Sequence, residues 1–135
     1  MDDKQLVLGL LESAARVQRR LDRSLSFTLG ISYTEYQLLA ALAESAGNSA
    51  TRVELAERVG LTPSAVTRAI KPLEKIGLIT TQRGERDARQ NLAILTPAAA
   101  ELLENAEGIL SDSVSGLPLV NVDRAELSRF VAALG

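Results

Sequence analysis

The side chains able to do chemistry in this sequence are guanidinium, ammonium and hydroxyl groups, gathered between residues 52 and 89. Eight cations (Arg52, Arg58, Arg68, Lys71, Lys75, Arg83, Arg86, Arg89) face five acids (Glu54, Glu57, Glu74, Glu85, Asp87) there, a local balance of +3 in a chain of net charge −2. The remainder therefore carries −5. A positive stretch on an acidic body suits an anionic partner and limits non-specific attraction elsewhere. Bond-breaking chemistry has little to work with. There is no cysteine and no histidine, which removes disulfides, thiolate metal sites, thiol redox gating, the usual general base and the commonest metal ligand. No nucleophile–base pair, glycine-rich phosphate loop or metal-ligand cluster is visible either. The chain is expected to bind rather than to catalyse, with no cofactor and no metal.

Within that stretch Ser64, Thr67, Arg68 and Lys71 are spaced to share one face of a helix. Thr62-Pro63 supplies its N-cap and first helical position, and Val66, Ala69, Ile70, Leu73 and Ile76 form its inward stripe. The helix before it opens on the capping box Thr51-Arg52-Val53-Glu54, turns Leu55, Ala56 and Val59 inward, and stops at Gly60. Two helices separated by Gly60-Leu61 read as a helix-turn-helix. Ala56 is small where the helices cross, Gly60 tolerates the left-handed turn, and Leu61 and Val66 fill the space between. A plain helical hairpin could share this pattern. If the second helix is a recognition helix, its hydroxyls reach phosphates or base edges where free amides also attract anions, Arg68 has the fork for guanine O6 and N7, and Lys71 meets phosphate. Pro72 removes an amide bond to the Arg68 carbonyl and predicts a bend or local loosening.

Other elements must hold this unit in place. A long first helix carries the stripe Leu6, Val7, Leu10, Leu11, Ala14, Val17, Leu21 and Leu25 and ends near Gly30. Ser32-Tyr33-Thr34-Glu35 is a capping box for a helix through Leu38, Leu39 and Leu42, broken by Gly47-Asn48. Gly77 ends the recognition helix, and residues 78–81 and 92–95 read as two strands around a polar tip, a β-hairpin wing. Thr96-Pro97 opens a helix that loosens near Ser111 to Pro118, and Asp123 caps a last one to Leu134. With 46% apolar residues and only 3% aromatic, the core is expected to be packed helices of Leu, Ile, Val and Ala. The acidic start and the charges interrupting the first stripe argue against a signal peptide or membrane span, so the cytoplasm is the expected location. Arg16, Arg19, Arg20 and Arg23 form a further basic face, expected to be solvated and paired with Glu12 and Asp22, although a second DNA contact is conceivable.

The order of helices, helix-turn-helix, wing and terminal helices resembles the MarR family of winged-helix regulators over essentially the whole chain. The resemblance is carried by Leu61-Thr62-Pro63-Ser64-Ala65-Val66-Thr67-Arg68, by Leu73-Glu74-Lys75-Ile76-Gly77-Leu78-Ile79, and by Asp87-Ala88-Arg89 with Leu95-Thr96-Pro97. It implies that Arg89 enters the minor groove, that Asp87 orients it, and that Arg83 and Arg86 follow the flanking backbone. The family's usual second arginine between Asp87 and Arg89 is Ala88 here, which removes one phosphate contact.

The expected architecture is mainly α with a small β-hairpin wing. It comprises one unit over 1–135, a winged helix-turn-helix over 33–95, and dimerisation helices over 1–30 and 96–135. The terminal stripes exceed what a small core can cover, and a homodimer follows. The resemblance implies the same dimer, with small lipophilic effectors bound between the dimer region and the winged unit; no motif names an effector site. The expected function is sequence-specific binding of a pseudo-palindromic double-stranded operator by a homodimeric repressor that a small ligand releases. The alternative is a winged-helix module that binds protein and not DNA.

Overall fold

The computed structural model describes residues 1–83 and 91–135. Arg86, Asp87, Ala88 and Arg89 lie outside the described residues. Helix α1 (Asp3–Leu29) starts on an Asp2/Gln5 capping box and ends on Gly30, which is left-handed at φ 71°. Helix α2 (Tyr33–Ala43) starts on the expected box: the Glu35 amide donates to Ser32 Oγ at 3.0 Å and the Ser32 amide to Glu35 Oε1 at 2.8 Å. A short 3-10 turn over Ala46–Asn48 leads to strand β1 (Ser49–Thr51). Helices α3 (Arg52–Val59) and α4 (Pro63–Lys75) follow, then strands β2 (Ile79–Gln82) and β3 (Leu92–Leu95). Helix α5 (Pro97–Ser115) and helix α6 (Arg124–Leu134), capped by Asp123, close the described chain. No helix among the described residues is long and apolar enough to cross a membrane.

The fold is mainly helical with a small antiparallel sheet, in the winged-helix arrangement. The sheet has three strands in the order β1-β3-β2, one more than the expected hairpin. Strand β1 escapes sequence reasoning because an alternation of only three residues, Ser49-Ala50-Thr51, is too short to give a local signal. Its existence depends on a distant partner, with Ser49, Ala50 and Thr51 paired to Ile94, Ala93 and Leu92.

The core lies between α2, α3, α4 and the sheet. Leu38, Leu39, Leu42, Leu55, Val66, Ile70 and Leu73 are fully buried there, joined by Leu25 from α1. Ile76 departs from expectation, being 58% exposed. The reason is a Schellman turn: the Gly77 amide donates to the Glu74 carbonyl at 3.1 Å and the Leu78 amide to the Leu73 carbonyl at 2.9 Å, so Leu78 takes the inward place. Gly77 sits at φ 81°. Gly77→Ala is therefore expected to lower stability by about 1 kcal/mol, seen as a lower urea midpoint with an unchanged slope.

Helix α5 also differs from expectation, running unbroken past Ser111 to Ser115. Packing overrides weak propensity here. Ser113 is buried against α1 and its hydroxyl donates to Ser24 Oγ at 2.7 Å. The ends of α1 and α6 behave otherwise. Leu6, Leu10 and Leu11 of α1 are 54%, 39% and 61% exposed, and α6 has no buried residue while Leu127, Phe130, Val131 and Leu134 face outward.

Candidate nucleic-acid interface

The geometry of α4 is set by its entry and exit. Gly60, at φ 70° and ψ 33°, turns the chain out of α3, and the Leu61 amide returns to the Ala56 carbonyl at 3.0 Å. Ala56 is buried at the crossing, as its size requires. Thr62 then caps α4, its Oγ1 accepting from the Ala65 amide at 3.1 Å with Pro63 in the first position. At the other end Thr96 fastens the start of α5 to the exit turn, its hydroxyl donating to the Gly77 carbonyl at 2.7 Å while accepting from the Ala99 amide at 3.2 Å.

With Val66, Ile70 and Leu73 buried, helical periodicity leaves Ser64, Arg68 and Lys71 on the opposite, exposed side. Thr67 stands on the flank of that face, half-buried, and its hydroxyl donates to the Pro63 carbonyl at 3.0 Å. Its donor is thus used locally, leaving a methyl group and acceptor lone pairs. Pro72 is exposed and the helix continues past it to Lys75, so the loosening expected there does not end the helix.

The first turn of α4 carries no acid, whereas Glu35 and Glu54 occupy the first turns of α2 and α3. The free amides and positive dipole end of α4 are left without an internal anion beside the exposed Ser64. Arg83, just past β2, is exposed as well. Arg86, Asp87 and Arg89, the other wing-tip expectations, lie outside the described residues.

Of the eight cations counted in the sequence, six lie among the described residues, and two of these are engaged internally. Arg58 donates from Nη2 to Glu44 Oε2 at 2.7 Å and from Nη1 to the Ala41 carbonyl at 3.3 Å and Ser45 Oγ at 3.2 Å. It closes the C-terminal end of α2, where carbonyls lack helical partners. Arg52 Nη2 lies 3.7 Å from Glu74 Oε1. Arg68, Lys71, Lys75 and Arg83 form no ion pair among the described residues. Among the described residues the cations left without an ion pair are therefore fewer than the sequence count, and three of them, Arg68, Lys71 and Lys75, lie on α4.

The expected pairing of the α1 arginines is also corrected. Arg16, Arg19, Arg20 and Arg23 are exposed, and none is ion-paired among the described residues. Asp22 is used elsewhere, Oδ1 accepting from the Tyr33 amide at 2.6 Å at the start of α2. Beside it Tyr33 and Tyr36 stack with centroids 6.0 Å apart. Burial, and secondarily the charge of Glu107, pushes the Tyr36 phenol above its ordinary value, so it stays neutral. No group of three Asp or Glu residues suited to a metal occurs among the described residues.

A family model described as MarR family matches residues 29–90. The chain is 33% identical over 100 residues to the organic hydroperoxide resistance transcriptional regulator of Bacillus subtilis, covering 74% of this chain and 67% of that protein. It is 36% identical over 76 residues to the transcriptional regulator AdcR of Streptococcus pneumoniae, covering 56% of this chain and spanning only half, 50%, of that relative's length. The crystal structure of Sco3205, a MarR family transcriptional regulator from Streptomyces coelicolor in complex with DNA, superimposes with a TM-score of 0.86 at 27% identity, over 99% of this chain and 85% of that one.

Proposed function

The chain belongs to the MarR family of transcriptional regulators, and from that premise we propose that it acts as a homodimer that reads a pseudo-palindromic DNA operator through α4 and the wing. The observation that carries this reading is the outward face of α4, where Ser64, Arg68 and Lys71 stand exposed beside an uncompensated helix N-terminus. Such a face offers hydroxyl and amide donors to phosphate and a guanidinium fork to guanine. Thr67 adds a methyl contact, Arg83 a backbone contact, and the family resemblance adds Arg86 and Arg89 at the tip with Asp87 orienting Arg89. The single winged unit over 33–95 is flanked by dimerisation helices over 1–30 and 96–135. Their exposed apolar residues on α1 and α6 are covered by a second copy.

The regulator is proposed to repress, and a small lipophilic effector to release it by changing the separation of the two α4 helices. Half-sites about one helical turn apart demand a fixed spacing, so a modest change suffices. Sequencing the duplexes that the intact chain retains from a random pool tests the proposal. A twofold-symmetric enriched motif supports it, and a pool no different from the input overturns it.

The effector response is not thiol chemistry. The chain has no cysteine, and its single methionine is the only ordinary sulfur. Organic hydroperoxide is therefore expected to leave the affinity of the purified protein for its selected duplex unchanged, within about twofold, in a fluorescence-anisotropy titration. A reversible loss of binding on peroxide addition would contradict this.

A further inference from the structure

Three elements meet at one carboxylate oxygen. Glu74, near the end of α4, accepts at Oε1 from the Thr81 hydroxyl on β2 at 3.0 Å, and the same oxygen lies 3.7 Å from Arg52 Nη2 at the start of α3. The Arg52 side chain is only 22% exposed, and its other terminal nitrogen, Nη1, is buried with no hydrogen-bond partner among the described residues. One other buried side-chain atom among them is in the same condition, Oδ1 of Asn91. Asn91 immediately precedes Leu92, which pairs with Thr51, the residue just before Arg52. An unmatched donor and an unmatched acceptor thus flank the same end of the β1–β3 ladder. Each is costly to bury alone, and one bond between them relieves both.

We propose that Arg52 is a positioning residue that seats the wing on α4, with one guanidinium nitrogen held by Glu74 and the other by Asn91 at the foot of β3. The planar fork serves two partners at once, which a lysine ammonium on a flexible stem does not reproduce. Glu74 also holds Thr81, which ties β2 to α4 in the structure, and the proposed bond from Arg52 to Asn91, not made there, would tie β3 as well. The angle between helix and wing is then set before any partner arrives, and Arg68 and Arg83 meet the same duplex together. This use of the clasp rests on the DNA-binding reading; the clasp itself does not.

Two measurements on the intact chain separate the questions. Without DNA, Arg52→Met is expected to speed amide exchange in Ile79–Gln82 and Leu92–Leu95 by about tenfold while Leu38, Leu39 and Leu42 of α2 keep their protection. Unchanged exchange in the strands, or equal acceleration throughout, overturns the proposal. Arg52→Lys is expected to leave the strands fast, and full restoration by lysine also overturns it. On a duplex selected by the wild-type chain, Arg83→Ala is expected to cost about fivefold in affinity, falling below about twofold in an Arg52→Met background, while the cost of Arg68→Ala stays the same in both. An undiminished Arg83 cost overturns the seating role. If the wild-type chain selects no duplex, the DNA-binding reading fails, and the exchange measurement still decides whether Arg52 holds the wing.

Discussion

Leu10→Glu combined with Leu127→Glu is expected to make the protein monomeric and to weaken its affinity for a selected duplex by roughly 100-fold or more, because a monomer engages one half-site without the effective concentration that linkage provides. Between α1 and α6 lies a groove of about 470 Å³, lined by Leu6, Leu10, Val122, Leu127 and Phe130 with Asp123 and Glu126 at its margin. Leu10 and Leu127 remain 39% and 41% exposed in the single chain, alongside Leu6, Leu11, Val131 and Leu134. In the proposed dimer a second copy covers this face by hydrophobic burial, and a carboxylate placed in it must be desolvated without a partner. The winged-helix core is not at stake, since α6 buries no residue and the nearest buried residue of α1 is Leu21. Circular dichroism should therefore stay close to wild type while light scattering reports half the mass. A double variant that remains dimeric, or a monomer that binds the duplex as tightly as wild type, would contradict the account.

The second large effect separates base readout from backbone attraction. Arg68→Ala is expected to cost about 1–3 kcal/mol on the selected duplex and little on unrelated DNA, because a bidentate contact to guanine contributes only where the right base is present. Lys71→Ala, three residues on and also exposed, should weaken all sequences alike and reduce the salt slope by about one unit, as the loss of one phosphate contact does. Titrations of both variants on selected and mixed-sequence duplexes at several salt concentrations distinguish the two roles. Equal losses for both on both duplexes would mean that α4 offers only an unspecific positive surface.

Features that local chemistry controls were legible in the sequence. Ser32 with Glu35, Thr51 with Glu54, Thr62 before Pro63 and Thr96 before Pro97 each bond within three residues, and the structure places every one of these caps as expected. The α4 face was legible for the same reason, since burying Val66, Ile70 and Leu73 forces Ser64, Arg68 and Lys71 outward. What escaped depends on residues far apart in the chain. Strand β1 needs β3, Arg58 needs Glu44, Arg52 needs Glu74, and the continuity of α5 through Ser113 needs Ser24 on α1. Asp22 shows how local reasoning misleads. Its spacing suggested an arginine partner on the same helix, but an unsatisfied amide at the start of the next helix is the stronger claim on a carboxylate. Ile76 fits the apolar stripe by spacing and still faces solvent, because the Gly77 turn ends the helix before the stripe reaches it.

Whether α4 reads base sequence is decided by sequencing the duplexes retained from one random pool by wild type and by Arg68→Ala side by side. Wild type is expected to enrich a twofold-symmetric motif whose half-sites lie about one helical turn apart. Arg68→Ala is expected to enrich the same motif with the preference relaxed at one base pair in each half and the other positions retained. An identical motif from both proteins, or no motif from wild type, would contradict the account.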